Sequence, residues 1–145
     1  MSATPNLSSD PSTLVPPPSA VDRFVASVEA GRALDADTLH PDVVLDATVP
    51  NWRLHQRGAD AVGAQLAGFY GHPGRFEQLR RIAIPDGELV ELTLTWTEDG
   101  VPHVSHQAHL LTLAPDGRIV GDTLWCGGRW PADLLAEMEA ADVGA

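Results

Sequence analysis

The chain has 145 residues, 43% hydrophobic and 20% charged, with a formal net charge of -11; this suits one domain around one core, and the negative field disfavours nucleic acid and membrane surfaces while leaving a small molecule or another protein acceptable. Cys126 is the only cysteine, so an intramolecular disulfide and a four-cysteine zinc site are excluded. No apolar run approaches the ~20 residues of a membrane helix, and the N-terminus lacks the pattern of a secretory signal, so a cytoplasmic setting is expected.

Residues 1–19 are rich in Pro and Ser, with Pro16, Pro17 and Pro18 in a row, and read as a disordered tail that buries too little apolar surface to offset its ordering entropy. A domain over 20–130 and a C-terminal helix and tail over 131–145 follow. Ser19 with Asp22 three positions on reads as a helix cap; Val21, Phe24, Val25 and Val28 recur at helical spacing, and Gly31 closes the helix. A short helical turn through Leu34 and Leu39 is expected to end at Pro41. Val43 to Val49 alternates apolar and polar residues as a strand with one buried face. A loop follows, then a helix from Gly58 to Tyr70 with Val62, Leu66, Phe69 and Tyr70 on one side. Arg80 to Ile84 reads as a short strand and Val90 to Trp96 as a longer one. Asp99-Gly100 marks a two-residue hairpin turn. His103 to Leu113 and Arg118 to Cys126 form the next hairpin around 114–117, and Pro131 opens the last helix. Helices at the front and hairpins at the back predict an α+β fold with helices covering one face of a curved, mostly antiparallel sheet.

Several stretches in that order resemble the nuclear transport factor 2-like (SnoaL-like) superfamily: "VASVEAGRALDADTLHPDVVLDATV" from Val25 to Val49, "RGADAVGAQL" from Arg57 to Leu66, and "HLLTLAPDGRIV" from His109 to Val120. The resemblance runs over about residues 20 to 127 and implies a cone with an internal pocket. It does not imply one activity, since the fold hosts isomerases, dehydratases, epoxide hydrolases, polyketide cyclases and binders. In the ketosteroid isomerase relatives the general base follows the Asp-Ala-Thr-Val strand by two positions, which falls on Asn51. The phenol of the first helix falls on Phe24, and the protonated acid falls on His109. None of the three groups is kept, which argues against that mechanism.

Hairpin register decides which polar residues face the pocket. A two-residue Asp99-Gly100 loop puts Trp96 opposite His103, Leu92 opposite Gln107 and Val90 opposite His109. A four-residue loop at 114–117 then sets His109 directly opposite Asp122, Gln107 opposite Leu124 and Ser105 opposite Cys126. An imidazole beside a carboxylate is how general bases are prepared, so His109 and Asp122 are the candidate catalytic pair; the alternative is a polar pair that only fixes the sheet. The candidate ligand contacts are Asn51, Trp52, His55, Tyr70, Trp96, Ser105, Gln107, Leu124 and Cys126. Asp46 is expected to point outward, and His106 to lie on the face opposite His109. His103, His106 and His109 alternate faces at three-residue spacing on a strand, so no metal is expected. The sequence thus reads as a cofactor-independent protein with a pocket for a small apolar organic molecule, either an enzyme or a non-catalytic binding or dimeric interaction domain. A homodimer through the open sheet face, with Val104, Leu110 and Trp125, is expected.

Overall fold

The computed structural model describes residues 16–142; most of the expected tail, residues 1–15, lies outside the described residues. Helix α1 spans Ala20–Ala30 and opens on the expected capping box, with the Ser19 side chain accepting from the Asp22 N–H and Asp22 accepting from the Ser19 N–H. Its Val21, Phe24 and Val28 are fully buried, each worth about 1.5–3 kcal/mol of apolar burial. Gly31 ends it at φ 67°, and a Cβ there would stand 2.3 Å from the His72 carbonyl carbon and the Pro73 nitrogen. Only glycine lets the helix end seat on that backbone.

The expected helical turn at 34–39 is absent. Residues 36–38 form a simple turn, and strand β1 starts at once, Leu39–Val49. The expected loop after it is also strand. Pro50 and Asn51, the latter at φ 62°, make a tight turn into β2, Trp52–Arg57, which pairs antiparallel with β1. Helix α2 follows, Ala59–Phe69, burying Val62 and Leu66 and capped at its end by Tyr70. Strand β3, Gly74–Ile84, is longer than the expected Arg80–Ile84; it turns through Pro85-Asp86 into β4, Gly87–Glu98. Strands β5, Val101–Leu113, and β6, Ile119–Cys126, complete the main sheet. A two-residue strand β7, Trp130–Pro131, pairs with β5, and helix α3 covers Ala132–Ala140.

The sheet order is β2-β1-β6-β5-β4-β3, antiparallel except where β1 lies parallel to β6. Its concave face carries Val43, Leu45, Val90, Leu92, Leu111 and Leu124, which pack with the buried sides of α1 and α2 into one core.

The two later hairpins differ in how far their turns fix register. Asp99 and Gly100 have φ of 52° and 77°, the paired positive values a two-residue turn demands. Glu98 therefore meets Val101, and Val90 meets His109, as expected. The β5–β6 hairpin departs from expectation. Ala114 N–H donates to the Arg118 carbonyl at 2.8 Å, leaving a three-residue loop that ends on Gly117, and the register shifts again between Thr112 and Leu113. Two one-residue displacements add to two. His109 thus pairs with Leu124 and Leu111 with Asp122, so His109 and Asp122 are diagonal neighbours rather than directly opposed. The side-chain period is two, so both still project from the concave face.

Candidate functional site

A cavity of about 420 Å³ opens where the ends of β1, β4 and β6 gather beside the end of α2, a size ordinary for a small-molecule site. Val49, Pro50, Phe69, Leu94 and Leu124 give it apolar walls, and Trp96 closes one side. Its polar groups fall into two sets, one at the floor and one at the rim.

The floor is a continuous hydrogen-bonded chain. Tyr70, delivered by the last turn of α2, donates its hydroxyl to Gln107 Oε1 at 2.5 Å, and its oxygen lies 2.9 Å from His109 Nε2. Behind them, His109 Nδ1 is 3.0 and 3.1 Å from the two Asp122 oxygens. Gln107 Nε2 donates to Ser105 Oγ at 3.0 Å, and Ser105 Oγ stands 3.5 Å from Cys126 Sγ. Phe24 presses edge-on against the His109 ring, with centroids 5.0 Å apart. His109 and Asp122 are 0% and 2% exposed, so their polar atoms depend wholly on these partners.

The hydrogens can be placed by elimination. A carboxylate only accepts, so His109 Nδ1 carries a hydrogen and donates to Asp122. With a second hydrogen on Nε2, the imidazolium donates to the Tyr70 oxygen, Tyr70 donates to Gln107 Oε1, and the Gln107 amide donates to Ser105. With Nε2 bare, Tyr70 donates to it instead, and Gln107 turns its amide so that its N–H meets the Tyr70 oxygen. Both patterns leave every group at the Tyr70 end of the chain paired, and they differ by one proton. Burial, then the negative charge of Asp122 and that of Cys126, push the Tyr70 phenol well above its ordinary value, so it stays a donor.

At the rim, Glu98 Oε1 accepts from Trp96 Nε1 at 3.0 Å and from Arg129 Nη2 at 2.5 Å, with His72 Nε2 at 3.5 Å. The Trp96 hydrogen bond foremost, then the charges of Arg129, His72 and His103, hold the Glu98 carboxyl below the usual range. The Arg129 guanidinium lies over the Trp96 ring at 5.2 Å, and His103 stacks on that ring at 5.4 Å.

Of the expected contacts, Tyr70, Trp96, Gln107, Leu124 and Cys126 line the cavity, while Ser105 is buried behind Gln107 and Cys126. Asn51, Trp52 and His55 do not line it. Asn51 sits in the β1–β2 turn, Trp52 is 69% exposed, and His55 is an exposed residue paired with Asp46 on the outer face. The physical reason is that 52–57 is a strand, not a loop folding over the mouth, and Val49 and Pro50 take the place expected for them. His109 and Asp122 are also absent from the wall, since Tyr70 and Gln107 stand between them and the cavity. Asp46 points outward as expected, held by Arg53 at 2.8 and 2.7 Å. Phe69, His72 and Arg129 were not expected at the site. His72 and Arg129 lie in irregular segments where periodicity gives no signal, though Phe69 was already on the inward face of α2.

Among the described residues no cluster of His, Cys, Asp or Glu could hold a metal ion, and no described helix is long and apolar enough to cross a membrane.

No family model matches the sequence, and no curated protein matches it. Solved structures match the fold. A protein of unknown function with a cystatin-like fold from Xanthomonas campestris is 20% identical, with TM-score 0.56 over 81% of this chain and 92% of that one. SalBIII, an epoxide hydrolase/cyclase-like enzyme of pyran ring formation in polyether salinomycin, is 14% identical, with TM-score 0.55 over 74% and 88%. A protein with a ketosteroid isomerase-like fold from Catenulispora acidiphila, solved with trimethylamine, is 13% identical, with TM-score 0.54 over 77% and 88%. The chain therefore has the nuclear transport factor 2-like, cystatin-like α+β fold, an unclosed curved sheet wrapped over helices.

Proposed function

We propose that the cavity binds a small, mainly apolar organic molecule and protonates one of its oxygen atoms without a cofactor, through Tyr70 backed by His109 and Asp122. The observation that carries this reading is Tyr70, which lines the cavity and whose hydroxyl is 2.9 Å from a histidine anchored on a buried carboxylate. Tyr70 alone is a poor acid. Coupled to His109 it need not become a phenolate, because the imidazolium passes its Nε2 hydrogen to the phenol oxygen as the phenol gives its own to the ligand. The net proton comes from His109, and Asp122 stabilises the charged ring before transfer. Acid-assisted epoxide opening is such a reaction: the oxygen takes the proton as its C–O bond breaks, water adds to the carbon, and the proton that water loses restores His109. This assigns the pair to the acid end of the reaction and replaces direct contact of His109 with the ligand.

A purely binding role is the second reading, favoured by the absence of any Asp or Glu from the cavity wall. Styrene oxide separates the two. Methyl signals of Leu94 and Leu124 should shift on its addition, and diol should form with a rate about 10²-fold lower in Tyr70→Phe. His109→Gln, which keeps volume and a hydrogen-bonding end, should lose the rate while staying folded. Shifts without diol favour the binder; an unchanged rate in Tyr70→Phe removes the acid role.

We also propose a homodimer through the convex face, supported by Trp125 at 47% exposed and the half-buried Leu110 beside it. Light scattering at micromolar concentration should give twice the chain mass, and Trp125→Glu should give the monomer.

A further inference from the structure

Acidic residues outnumber basic ones 20 to 9 along the chain, yet among the described residues no Asp or Glu lines the cavity, while Arg129 and His72 do. Among the described lining residues Arg129 is the one permanent charge, and its sign is opposite to the net charge of the chain. Glu98 at the rim is not part of the wall; its carboxylate pairs with Arg129 and stands 3.5 Å from His72 Nε2. Its pair with Arg129 is half exposed, with side chains 28% and 53% accessible, and such pairs are weak and screened. Arg129 has five N–H donors, and among the described residues its only hydrogen-bonded partner is Glu98. Its remaining donors are free for a planar anion, which a guanidinium grips through two parallel bonds. An amine suits the aromatic wall less well than that wall suggests. The Trp96 ring is already engaged by Arg129 and His103, and any cation there meets the Arg129 charge.

We propose that the ligand is a carboxylic acid with an apolar body, its carboxylate bound at the mouth by Arg129 with His72 and its far end directed at the Tyr70 floor. This rests on the cavity being the binding site, and the test keeps the two claims apart. The probes are 4-phenylbutanoate, its primary amide and 4-phenylbutylamine, titrated at low salt with the Leu94 and Leu124 methyl signals as readout. The carboxylate should bind about tenfold tighter than the amide, and the amine weakest. In Arg129→Gln the carboxylate should fall to the amide's affinity, and the amide should bind as before, which also reports an intact fold. Equal binding of acid and amide, tighter binding of the amine, or a preference that survives Arg129→Gln overturns the proposal and leaves the cavity reading standing. If none of the three probes shifts the methyl signals, the cavity reading fails and this one with it.

Discussion

Two histidine–carboxylate pairs lie near the cavity, one behind its floor and one at its rim, and their surroundings make them different devices. At the floor, His109 and Asp122 are sealed beneath Phe24, with side chains 0% and 2% exposed. At the rim, His72 and Glu98 are 44% and 28% exposed and 3.5 Å apart. Water competes for every bond in the second pair and for none in the first. Identical chemistry is thus structural and obligatory at one end, and loose and exchangeable at the other. The hydrogen bonds at the floor are thus held fixed while the charges at the rim are free to change partners.

The sharpest way to break the contrast is Asp122→Ala. It strands the His109 Nδ1 donor in an apolar enclosure, at a cost of about 3 kcal/mol, seen as a lower urea midpoint with an unchanged slope. Tyr70→Phe comes next, at about 1–2 kcal/mol, because the neighbouring acceptor loses its donor. That variant also has a pH signature. Burial raises the Tyr70 pKa in the folded state, so the folded protein holds that proton more tightly than the unfolded chain. Its contribution is full below the unfolded value of about 10 and is lost as the pH rises toward the folded one. The chain has one tyrosine and no lysine. The difference in alkaline stability between wild type and Tyr70→Phe should therefore vanish with rising pH, and tyrosinate absorbance should appear late. Glu98→Gln, at the rim, should leave the urea midpoint unchanged. Its effect should show only in ligand affinity, as a stronger preference for an anionic probe.

Most of the floor was legible in the sequence because strand alternation is a two-valued code. The expected β5–β6 register was two residues off, yet Asp122 still faced His109, since an even error preserves the face. Tyr70 was legible as a residue on the inward side of α2, though the partner it takes is set by tertiary packing. The α1 position on which the resemblance to ketosteroid isomerases placed a phenol holds Phe24, and here a hydroxyl reaches the floor from α2 instead. The rim was not legible. Arg129 follows two glycines after the last main strand, and His72 lies between a helix and a strand; neither segment repeats, so nothing local says which way a side chain turns. The misplacement of Asn51, Trp52 and His55 has a similar origin. Alternation of apolar and polar residues is weak in a strand whose residues are mostly exposed, and β2 is one.

Gly31 touches no polar group of the site, yet the backbone of residues 72–73 rests directly on it. Any larger residue at position 31 must push that backbone aside and move His72, and with it the width of the opening. The width of the opening is thus set from the end of α1, and its polar lining from Tyr70 and Arg129. The two properties can drift independently: a descendant of this protein could widen the opening without altering one hydrogen bond of the floor.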